Sequence, residues 1–463
     1  MSIGDALQMA KRGMVSLWFQ SALLPEGWAD DVRITFAGAT IRSVESGVAA
    51  APTDERHAIA IPGLANVHSH GFQRGMAGLA EMRGPAHDSF WTWRDVMYRF
   101  VDRLTPEEVT AITAQAYVEM LESGFTRVGE FHYLHHDPSG APYGNIAELG
   151  ARIAQAASET GIGLTLLPVF YAHGGFGGAP AAQAQRRFLN DPARFAKLID
   201  ASLQAVASLD DANVGIAPHS LRAVTPEELR EIVPLAKAGP IHIHVAEQMK
   251  EVEDCIAWSG ARPVEWLLDK ANIDRTWCLV HATHMTAKET QRVAVSGAVA
   301  GLCPITEANL GDGLFPAPQY AAAGGRFGIG SDSNVLIDAA EELRLLEYGQ
   351  RLTLRARNVL TQQTGSSTGR ALFDGALSGG FQALGNSVFG PRVGASADLV
   401  SLDEGDPVLA GRKGDALLDS WIFGGGRVDC VWRRGAKWVE GGRHRARDAI
   451  ATRYKQAVAG IVG

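Results

Sequence analysis

The chain has few cysteines, no long apolar run and no excess of basic residues. Each of these absences excludes a class of protein. Its four cysteines form no C-x-x-C pair, so buried free thiols in a reducing compartment are expected instead of disulfides. No uninterrupted apolar stretch reaches the roughly 18 residues that a membrane helix needs. Residues 1–13 lack the apolar segment of a signal peptide. The sequence therefore predicts a cytoplasmic protein with no membrane partner.

The charge balance argues against a nucleic-acid partner. The 463 residues include 43 basic and 51 acidic side chains, giving a formal net charge of −8, whereas binding to phosphate backbones needs a basic surface. A small anionic substrate remains possible, because a few arginines in a cleft can reverse the local field. Hydrophobic residues (46%) and charged residues (20%) are present in ordinary globular proportions. At this length we expect one large domain and one smaller domain.

The middle of the chain alternates short apolar runs with longer segments of helical periodicity. Segments such as 105–124, 225–239 and 286–297 begin with Thr-Pro or Thr-Ala and end with glycine, which is typical of capped helices. Runs that are apolar on both faces are typical of buried parallel strands. The eight runs are 60–70, 125–133, 162–174, 213–220, 240–248, 276–284, 298–306 and 326–334. Eight such units predict a closed (β/α)8 barrel, with an open doubly wound sheet as the alternative.

The two ends of the chain differ from the middle, since both consist of short β-like segments separated by turns. We expect residues 1–59 and 386–463 to pair into one small composite β-sandwich domain. Residues 60–385 would form the catalytic barrel domain. The predicted fold class is therefore α/β, a TIM-like barrel with a small β-sandwich made from both termini.

Polar side chains end nearly every apolar run, where a (β/α)8 barrel carries its active site. The candidates from runs one, five, six and eight are His68, His70, His244, Glu247, His281 and Asp332. His68 and His70 are two residues apart on one strand, so both point to the same face. Imidazole nitrogens with one carboxylate suit Zn²⁺, and also Fe²⁺ or Mn²⁺. The sequence therefore predicts a divalent metal site at the barrel mouth.

The order P-G-L-x-N-x-H-x-H, H-x-x-E, H and S-D resembles the amidohydrolase superfamily, in its mononuclear deaminase branch. The resemblance covers residues 60–385 and implies metal ligation by His68, His70, His244 and Asp332. It implies catalytic roles for Glu247, His281 and Asp332. Two-metal members usually carry a carboxylated lysine after strand four, and run 213–220 has no lysine, so one ion is expected.

These catalytic roles follow from general acid–base chemistry. Asp332 would accept a proton from the attacking water, and His281 would orient that water. Glu247 would protonate the substrate nitrogen and the leaving ammonia. The alternative for Glu247 is a supporting contact to His244.

Longer strings resemble the formimidoylglutamate deiminases, a family within that superfamily. The strings are 68–78, 90–94, 130–135, 217–222, 244–248, 303–309 and 330–334. One departure is Gly71, where alanine is expected. The resemblance implies hydrolysis of N-formimidoyl-L-glutamate to N-formyl-L-glutamate and ammonia in histidine degradation, by a homodimer.

A small dicarboxylate substrate favours arginine, because the planar guanidinium group binds carboxylates bidentately. Arg222 follows strand four and Arg94 lies in the long loop after strand one, so both are expected at the barrel mouth. The other substrate-binding candidates near that rim are Gln73, Tyr133 and His219. Local bracing of loops is the alternative for each. The aromatic residues expected to anchor the long loop by packing are Phe90, Trp91 and Trp93.

Two other functions stay open from the sequence. A related deaminase acting on guanine, cytosine, adenosine-type or triazine rings would be expected to have apolar stacking walls instead of an arginine pair. A non-catalytic metal-binding barrel would be expected to lack part of the ligand set, which this chain keeps.

Overall fold

The computed structural model describes residues 13–84 and 89–462, whose strands form two sheets. The predicted absence of a signal peptide concerns residues that lie mostly outside this part. The strands are β1 (Met14–Leu24), β2 (Gly27–Ala37), β3 (Thr40–Glu45), β4 (Glu55–Pro62), β5 (Leu64–Ser69), β6 (Phe125–His132), β7 (Gly163–Phe170), β8 (Asn213–Val214), β9 (Ala217–Pro218), β10 (Ile241–Val245), β11 (Trp277–His281), β12 (Val299–Leu302), β13 (Arg326–Ile329), β14 (Leu399–Leu402), β15 (Val428–Arg433), β16 (Ala436–Glu440) and β17 (Arg443–His444).

Most connections in the middle of the chain contain α-helices, and 3₁₀ segments are short. The helices are α1 (Phe90–Val101), α2 (Pro106–Glu122), α3 (Glu148–Thr160), α4 (Pro192–Ala205), α5 (Pro226–Ile232), α6 (Met249–Ser259), α7 (Pro263–Lys270), α8 (Ala287–Ser296), α9 (Pro304–Leu310), α10 (Ala317–Ala322), α11 (Ala339–Leu354), α12 (Thr368–Ala383), α13 (Asp415–Gly424) and α14 (Arg447–Val462). The 3₁₀ segments are Gly71–Met76, Phe176–Gly178, Gln183–Gln185, Val233–Ala236 and Pro407–Leu409.

The predicted helix caps explain where several helices begin. The side chains of Thr105, Thr225 and Thr286 each accept a hydrogen bond from the backbone N–H of the glutamate three residues later. The carboxylate of that glutamate accepts in return from the backbone N–H of the threonine. A proline at the first helical position follows two of these caps. Gly297 ends α8 in the left-handed conformation that glycine favours.

The eight apolar runs form one parallel sheet that closes on itself. Its order is β10-β11-β12-β13-β5-β6-β7-β8, with β9 beside β7. The fourth run supplies both β8 and β9, and it meets β10 through parallel bridges between Ile216 and Ile241 and between Ser220 and His244. The predicted (β/α)8 barrel is therefore confirmed, and the open doubly wound alternative is wrong.

The two ends of the chain pair into one eight-stranded sheet, in the order β17-β16-β15-β14-β4-β1-β2-β3. A second apolar cluster, separate from the main core, contains Phe19 and Val32 from one half of this sheet and Leu399 and Trp432 from the other. The small terminal domain of the predicted fold class is therefore confirmed. The domain limits stay a prediction, because β4 (Glu55–Pro62) pairs within the terminal sheet and leads directly into β5.

A buried ionic network joins the terminal sheet to the barrel. Arg433 on β15 contacts Asp398 at 3.2 Å, contacts Asp211 and donates to the Thr126 carbonyl at 3.1 Å. Arg127 on β6 also forms an ion pair with Asp211, at 2.5 Å between Nη2 and Oδ2. Because the carboxylates neutralise both guanidinium groups, the network can be buried without unpaired charge.

Two other predictions can be compared with the described residues. The cysteines are all buried and free, as predicted: Cys255, Cys278, Cys303 and Cys430. In 13–84 and 89–462, no helix combines the length and the apolar character that crossing a bilayer requires.

Candidate metal centre and active site

The first and last strands of the barrel bring three candidate ligands together. His70 N–H donates to the Asp332 carbonyl and Asp332 N–H donates to the His68 carbonyl, both at 2.9 Å. The fourth candidate, His244, lies in β10 next to the end of the fourth run, where its N–H donates to the His219 carbonyl at 3.0 Å. Side chains from three strand ends therefore face one point at the carboxyl end of the barrel.

The donor atoms of these four buried side chains all lie within 4.8 Å of one another. The Nε2 atoms of His68 and His244 are 3.0 Å apart. Asp332 Oδ1 lies 3.4 Å from His68 Nε2 and 3.2 Å from His70 Nε2. Ligands about 2.1 Å from a tetrahedral zinc ion stand about 3.4 Å from each other, so these separations fit one ion.

The protonation states also fit a divalent cation. Burial lowers the pKa of His68 to about 3 and lowers the pKa of His244 well below its usual value, so both imidazoles are neutral near pH 7. Burial opposes ionisation of Asp332, but the adjacent His68 and His70 imidazoles hold its pKa well below the usual range. His70 Nδ1 donates to the Phe131 carbonyl at 2.9 Å, which leaves its Nε2 free to ligate. Neutral imidazoles and an ionised carboxylate are the forms that bind metals.

His281 and Glu247 lie beside this centre, as predicted. His281 Nε2 is 3.6 Å from Glu247 Oε1 and 3.8 Å from Asp332 Oδ2. Burial lowers the pKa of His281, but the Glu247, Glu307 and Asp332 carboxylates outweigh burial and raise it to about 10. Burial raises the pKa of Glu247, and the positive charges of His281 and Arg222 oppose that shift. A carboxyl group and an imidazole that can exchange a proton thus adjoin the four candidate ligands.

Two carboxylates that the sequence analysis did not single out hold these groups in place. Glu307 accepts from His281 Nδ1 at 3.2 Å and from the Cys303 N–H at 3.0 Å. Glu251 accepts from the N–H groups of Ala246 (3.0 Å) and Glu247 (3.2 Å). Glu307 belongs to the quoted string 303–309, but only its spatial contact with His281 reveals its role.

A buried hydrogen-bond network also supports the ligands and was missed from the sequence. Asn66 Nδ2 donates to Ser331 Oγ at 2.6 Å, and Ser331 Oγ donates to Asn334 Oδ1 at 2.6 Å. Asn334 Nδ2 then donates to the His70 carbonyl at 3.0 Å. The network spans β5 and the end of β13, so it fixes the segments that carry His70 and Asp332.

Above the four candidate ligands lies a cleft of about 690 Å³. It contains every predicted catalytic and substrate-binding side chain, together with two tyrosines, Tyr98 and Tyr171, that the sequence analysis did not single out. The predicted residues in its wall are Gln73, Arg94, Tyr133, His219, Arg222, Glu247, His281 and Asp332. Tyr171 accepts a hydrogen bond from Gln185 Nε2 at 2.6 Å, which fixes its hydroxyl group at the wall.

Arg94 and Arg222 are the cationic residues of the cleft wall. Neither makes an ion pair with a carboxylate of residues 13–84 or 89–462, and Arg222 Nε donates to Ser220 Oγ at 3.4 Å. After the larger effect of burial, both guanidinium groups lower the pKa of His219. The cleft therefore holds two positive charges that a ligand can neutralise.

Gln73, Tyr133 and His219 form a polar wall between the arginines and the metal centre. Gln73 Nε2 donates to Tyr133 Oη at 2.7 Å. His219 Nδ1 lies 3.1 Å from Ser220 Oγ, and its ring centroid lies 5.0 Å from that of His244. The remaining polar atom of Gln73, Oε1, is buried without a partner in the described part of the chain. It is available to a ligand.

The segment that carries Arg94 differs from the prediction. It was expected in a long loop, but residues Phe90–Val101 form α1. Ser89 Oγ caps this helix, and Thr92 Oγ1 accepts from the Ser89 N–H. The predicted loop is wrong, because Ser89 and Thr92 form a reciprocal cap that starts a helix at the aromatic segment. At Gly71, where the family resemblance leads us to expect alanine, an added methyl group would lie only 2.7 Å from Thr113 Cγ2. Glycine at this position therefore avoids a close contact with Thr113.

Comparison with known protein families gives two matches. Residues 59–437 match the amidohydrolase family. Residues 16–58 match the N-terminal domain of formimidoylglutamate deiminase HutF. Together the two matches cover almost all of the described residues.

Three individual proteins illustrate the similarity. The formimidoylglutamate deiminase of Pseudomonas aeruginosa is 49% identical, with 96% of this chain and 99% of that protein covered. The crystal structure of an amidohydrolase from Brucella melitensis is 59% identical with a TM-score of 0.95, covering 97% of this chain and 100% of that one. An adenosine deaminase from Xanthomonas campestris with bound zinc is 22% identical with a TM-score of 0.78, covering 97% and 98%. At 22% identity the last similarity shows the fold alone.

We expect the purified protein to contain one divalent ion per chain, and His244→Ala to lose it. Removing one of four donors lowers affinity for the ion, since the site then lacks a full set of ligands. Metal analysis after dialysis measures the content. The matched control is His242→Gln, because His242 is a buried histidine on the same strand whose Nε2 contacts the Ala383 carbonyl at 2.7 Å instead. Equal metal content in folded His244→Ala and wild type would contradict the assignment.

Proposed function

The chain belongs to the amidohydrolase family, and on that premise we propose that it hydrolyses N-formimidoyl-L-glutamate to N-formyl-L-glutamate and ammonia. The observation that carries this proposal is one cleft that combines the four-donor centre with two arginines lacking ion-pair partners in the described residues. The substrate matches both features, because it has a hydrolysable formimidoyl group and two carboxylates. The relative of 49% identity that bears this activity supports the same conclusion.

The reaction is a hydrolysis that needs no oxidant or reductant. The water oxygen forms a bond to the formimidoyl carbon, and the bond from that carbon to its terminal nitrogen breaks. Both protons of the water must leave its oxygen as the carbonyl forms, and the departing nitrogen must gain two protons to become ammonia. The protein therefore has to move protons between two atoms on opposite sides of one carbon.

One Zn²⁺ ion held by His68, His70, His244 and Asp332 fits the donor set, with Fe²⁺ or Mn²⁺ as alternatives. Such an ion supplies positive charge that favours deprotonation of a nearby water and polarises the formimidoyl group. The zinc bound to the adenosine deaminase of the same fold supports this choice.

The chain's own side chains complete the proton transfers. Asp332 Oδ2 faces His281 at 3.8 Å and accepts the proton of the attacking water. His281, held by Glu307 at 3.2 Å, orients that water and stabilises charge that develops on it. Glu247, whose pKa is raised by burial and which lies 3.6 Å from His281 Nε2, donates a proton to the departing nitrogen.

Substrate binding is assigned to the cleft above. Arg94 and Arg222 bind the two carboxylates through their guanidinium groups. The neutral groups that hold the amide and formimidoyl portions are Gln73, Tyr133 and His219. An aromatic ring substrate, as in related deaminases, would leave the two arginines without anions, which favours the dicarboxylate. A non-catalytic barrel is disfavoured because the complete donor set keeps Glu247 and His281 beside it.

The cellular setting is part of the same proposal. We place the enzyme in the cytoplasm, as a homodimer that acts in histidine degradation. The family resemblance and the free cysteines support this setting.

Ammonia release from N-formimidoyl-L-glutamate, measured beside a panel of purines, pyrimidines and triazines, tests the assignment. We expect turnover of the glutamate derivative and at least about a hundredfold lower kcat/KM for every ring substrate, because a neutral ligand leaves the two half-buried arginines without a carboxylate. A chelator should abolish the activity and added Zn²⁺ should restore it. Turnover of a ring substrate alone would end the formimidoylglutamate assignment.

The variant Glu247→Gln should keep its metal and lose about 10²- to 10⁴-fold in kcat, because glutamine cannot donate a proton in place of the acid. Steady-state kinetics and metal analysis of the same sample measure both properties. Glu253→Gln is the matched control, since Glu253 is exposed on α6. Near-native kcat in Glu247→Gln would remove this residue from the mechanism.

The variant Arg222→Ala should raise KM for N-formimidoyl-L-glutamate by about tenfold or more, with a smaller change in kcat, because a charge-assisted contact to a carboxylate is lost. Arg230→Ala is the control, because Arg230 is exposed on α5 and pairs with Glu227. An unchanged KM in Arg222→Ala would dismiss this residue as a carboxylate ligand.

A further inference from the structure

The side chain of Trp91 contacts both arginines of the cleft, although it was expected only to pack. Its ring centroid lies 4.5 Å from Arg94 Cζ and 5.8 Å from Arg222 Cζ. Both distances fall within the range in which a guanidinium group is attracted to the negative face of an indole ring. One aromatic ring therefore touches two cations that come from different parts of the fold.

The position of Trp91 on α1 explains this contact. Trp91, Arg94 and Tyr98 follow one another at intervals of three and four residues, so they share one face of the helix. Arg94 Cζ also lies 5.5 Å from the Tyr98 ring centroid. Ser89 caps the helix through the Trp91 N–H at 3.3 Å, which fixes the first turn. The helix therefore places Arg94 in the cleft wall with the Trp91 ring against its guanidinium group.

The Trp91 ring gives both guanidinium groups an attractive contact that leaves their charge in place. Neither has an ion-pair partner in the part of the chain that the structure describes, and Arg94 Nε is buried without a hydrogen-bond partner there. Two like charges in one cleft are unfavourable before an anion arrives. An aromatic face attracts both without neutralising either, so the charges remain available to carboxylates.

We infer that Trp91 is a specificity-determining positioning residue, which holds Arg94 and Arg222 at the spacing that a dicarboxylate requires. This inference rests on the proposed function, because only a substrate with two carboxylates requires a defined spacing between the two arginines. A ligand with one carboxylate needs only one of the two arginines. Trp91 should therefore matter much more for dicarboxylates than for monocarboxylates.

Two ligands and two variants test this role, with binding measured separately from turnover. Calorimetry gives Kd for N-formyl-L-glutamate, the product, and for 4-(formylamino)butanoate, which lacks one carboxylate. Trp91→Leu removes the aromatic face, whereas Trp91→Phe keeps a weaker one. Thermal denaturation and metal content report whether each variant keeps the wild-type fold and centre.

We expect Trp91→Leu to weaken binding of N-formyl-L-glutamate by about tenfold and Trp91→Phe by about threefold, with less than about a twofold change for the monocarboxylate. KM for N-formimidoyl-L-glutamate should rise in parallel while kcat stays within about twofold. In an Arg222→Ala background, Trp91→Leu should have a much smaller effect, since one of its two cationic partners is already absent. A residue that merely filled space would show neither the ligand dependence nor the dependence on Arg222.

Equal losses for both ligands, or an unchanged effect in the Arg222→Ala background, would overturn the role of Trp91. If Trp91→Leu does not fold, the same comparison with Trp91→Phe decides. A wild-type protein that neither binds N-formyl-L-glutamate nor hydrolyses N-formimidoyl-L-glutamate would overturn the proposed function and the inference with it. A wild-type protein that does both, with Trp91 variants that match it, would overturn the inference alone.

Discussion

The junction between the first and last barrel strands is the contact on which the rest of the site depends. Reciprocal backbone hydrogen bonds of 2.9 Å join His70 to Asp332 and Asp332 to His68. Asp332 has a φ of +45°, a conformation that non-glycine residues adopt rarely and that persists only where surrounding contacts hold it. The Asn66–Ser331–Asn334 hydrogen bonds provide such contacts. The contacts that join the first and last barrel strands therefore also bring the candidate metal ligands together.

The lower part of the cleft suits a cation, whereas its upper part suits anions. Below, neutral imidazoles and the Asp332 carboxylate concentrate electron pairs that suit a cation. Above, Arg94 and Arg222 concentrate positive charge that suits anions. A substrate that carries two carboxylates and one formimidoyl group has a matching partner for each part of the cleft. Each charged group is then neutralised only when its ligand is present, which gives specificity as well as affinity.

The candidate catalytic groups are held by partners that do not line the cleft. Glu307 fixes the ring of His281, and Glu251 fixes the backbone that carries Glu247. Such supports keep reacting groups in place without a cost of reorganisation during the reaction. Trp91 acts similarly in our interpretation, because it positions two cations without taking their charge.

The sequence by itself determined the barrel, the terminal sheet and the strand-end candidates, because periodicity, helix caps and the position of polar residues are local features. The motif order likewise gave the family. Only the tertiary structure revealed the partners Glu307 and Glu251, the helix that carries Arg94, and the shared contact of Trp91 with two arginines. Those features depend on which residues distant in the chain meet when the barrel closes, and no local pattern records such distances.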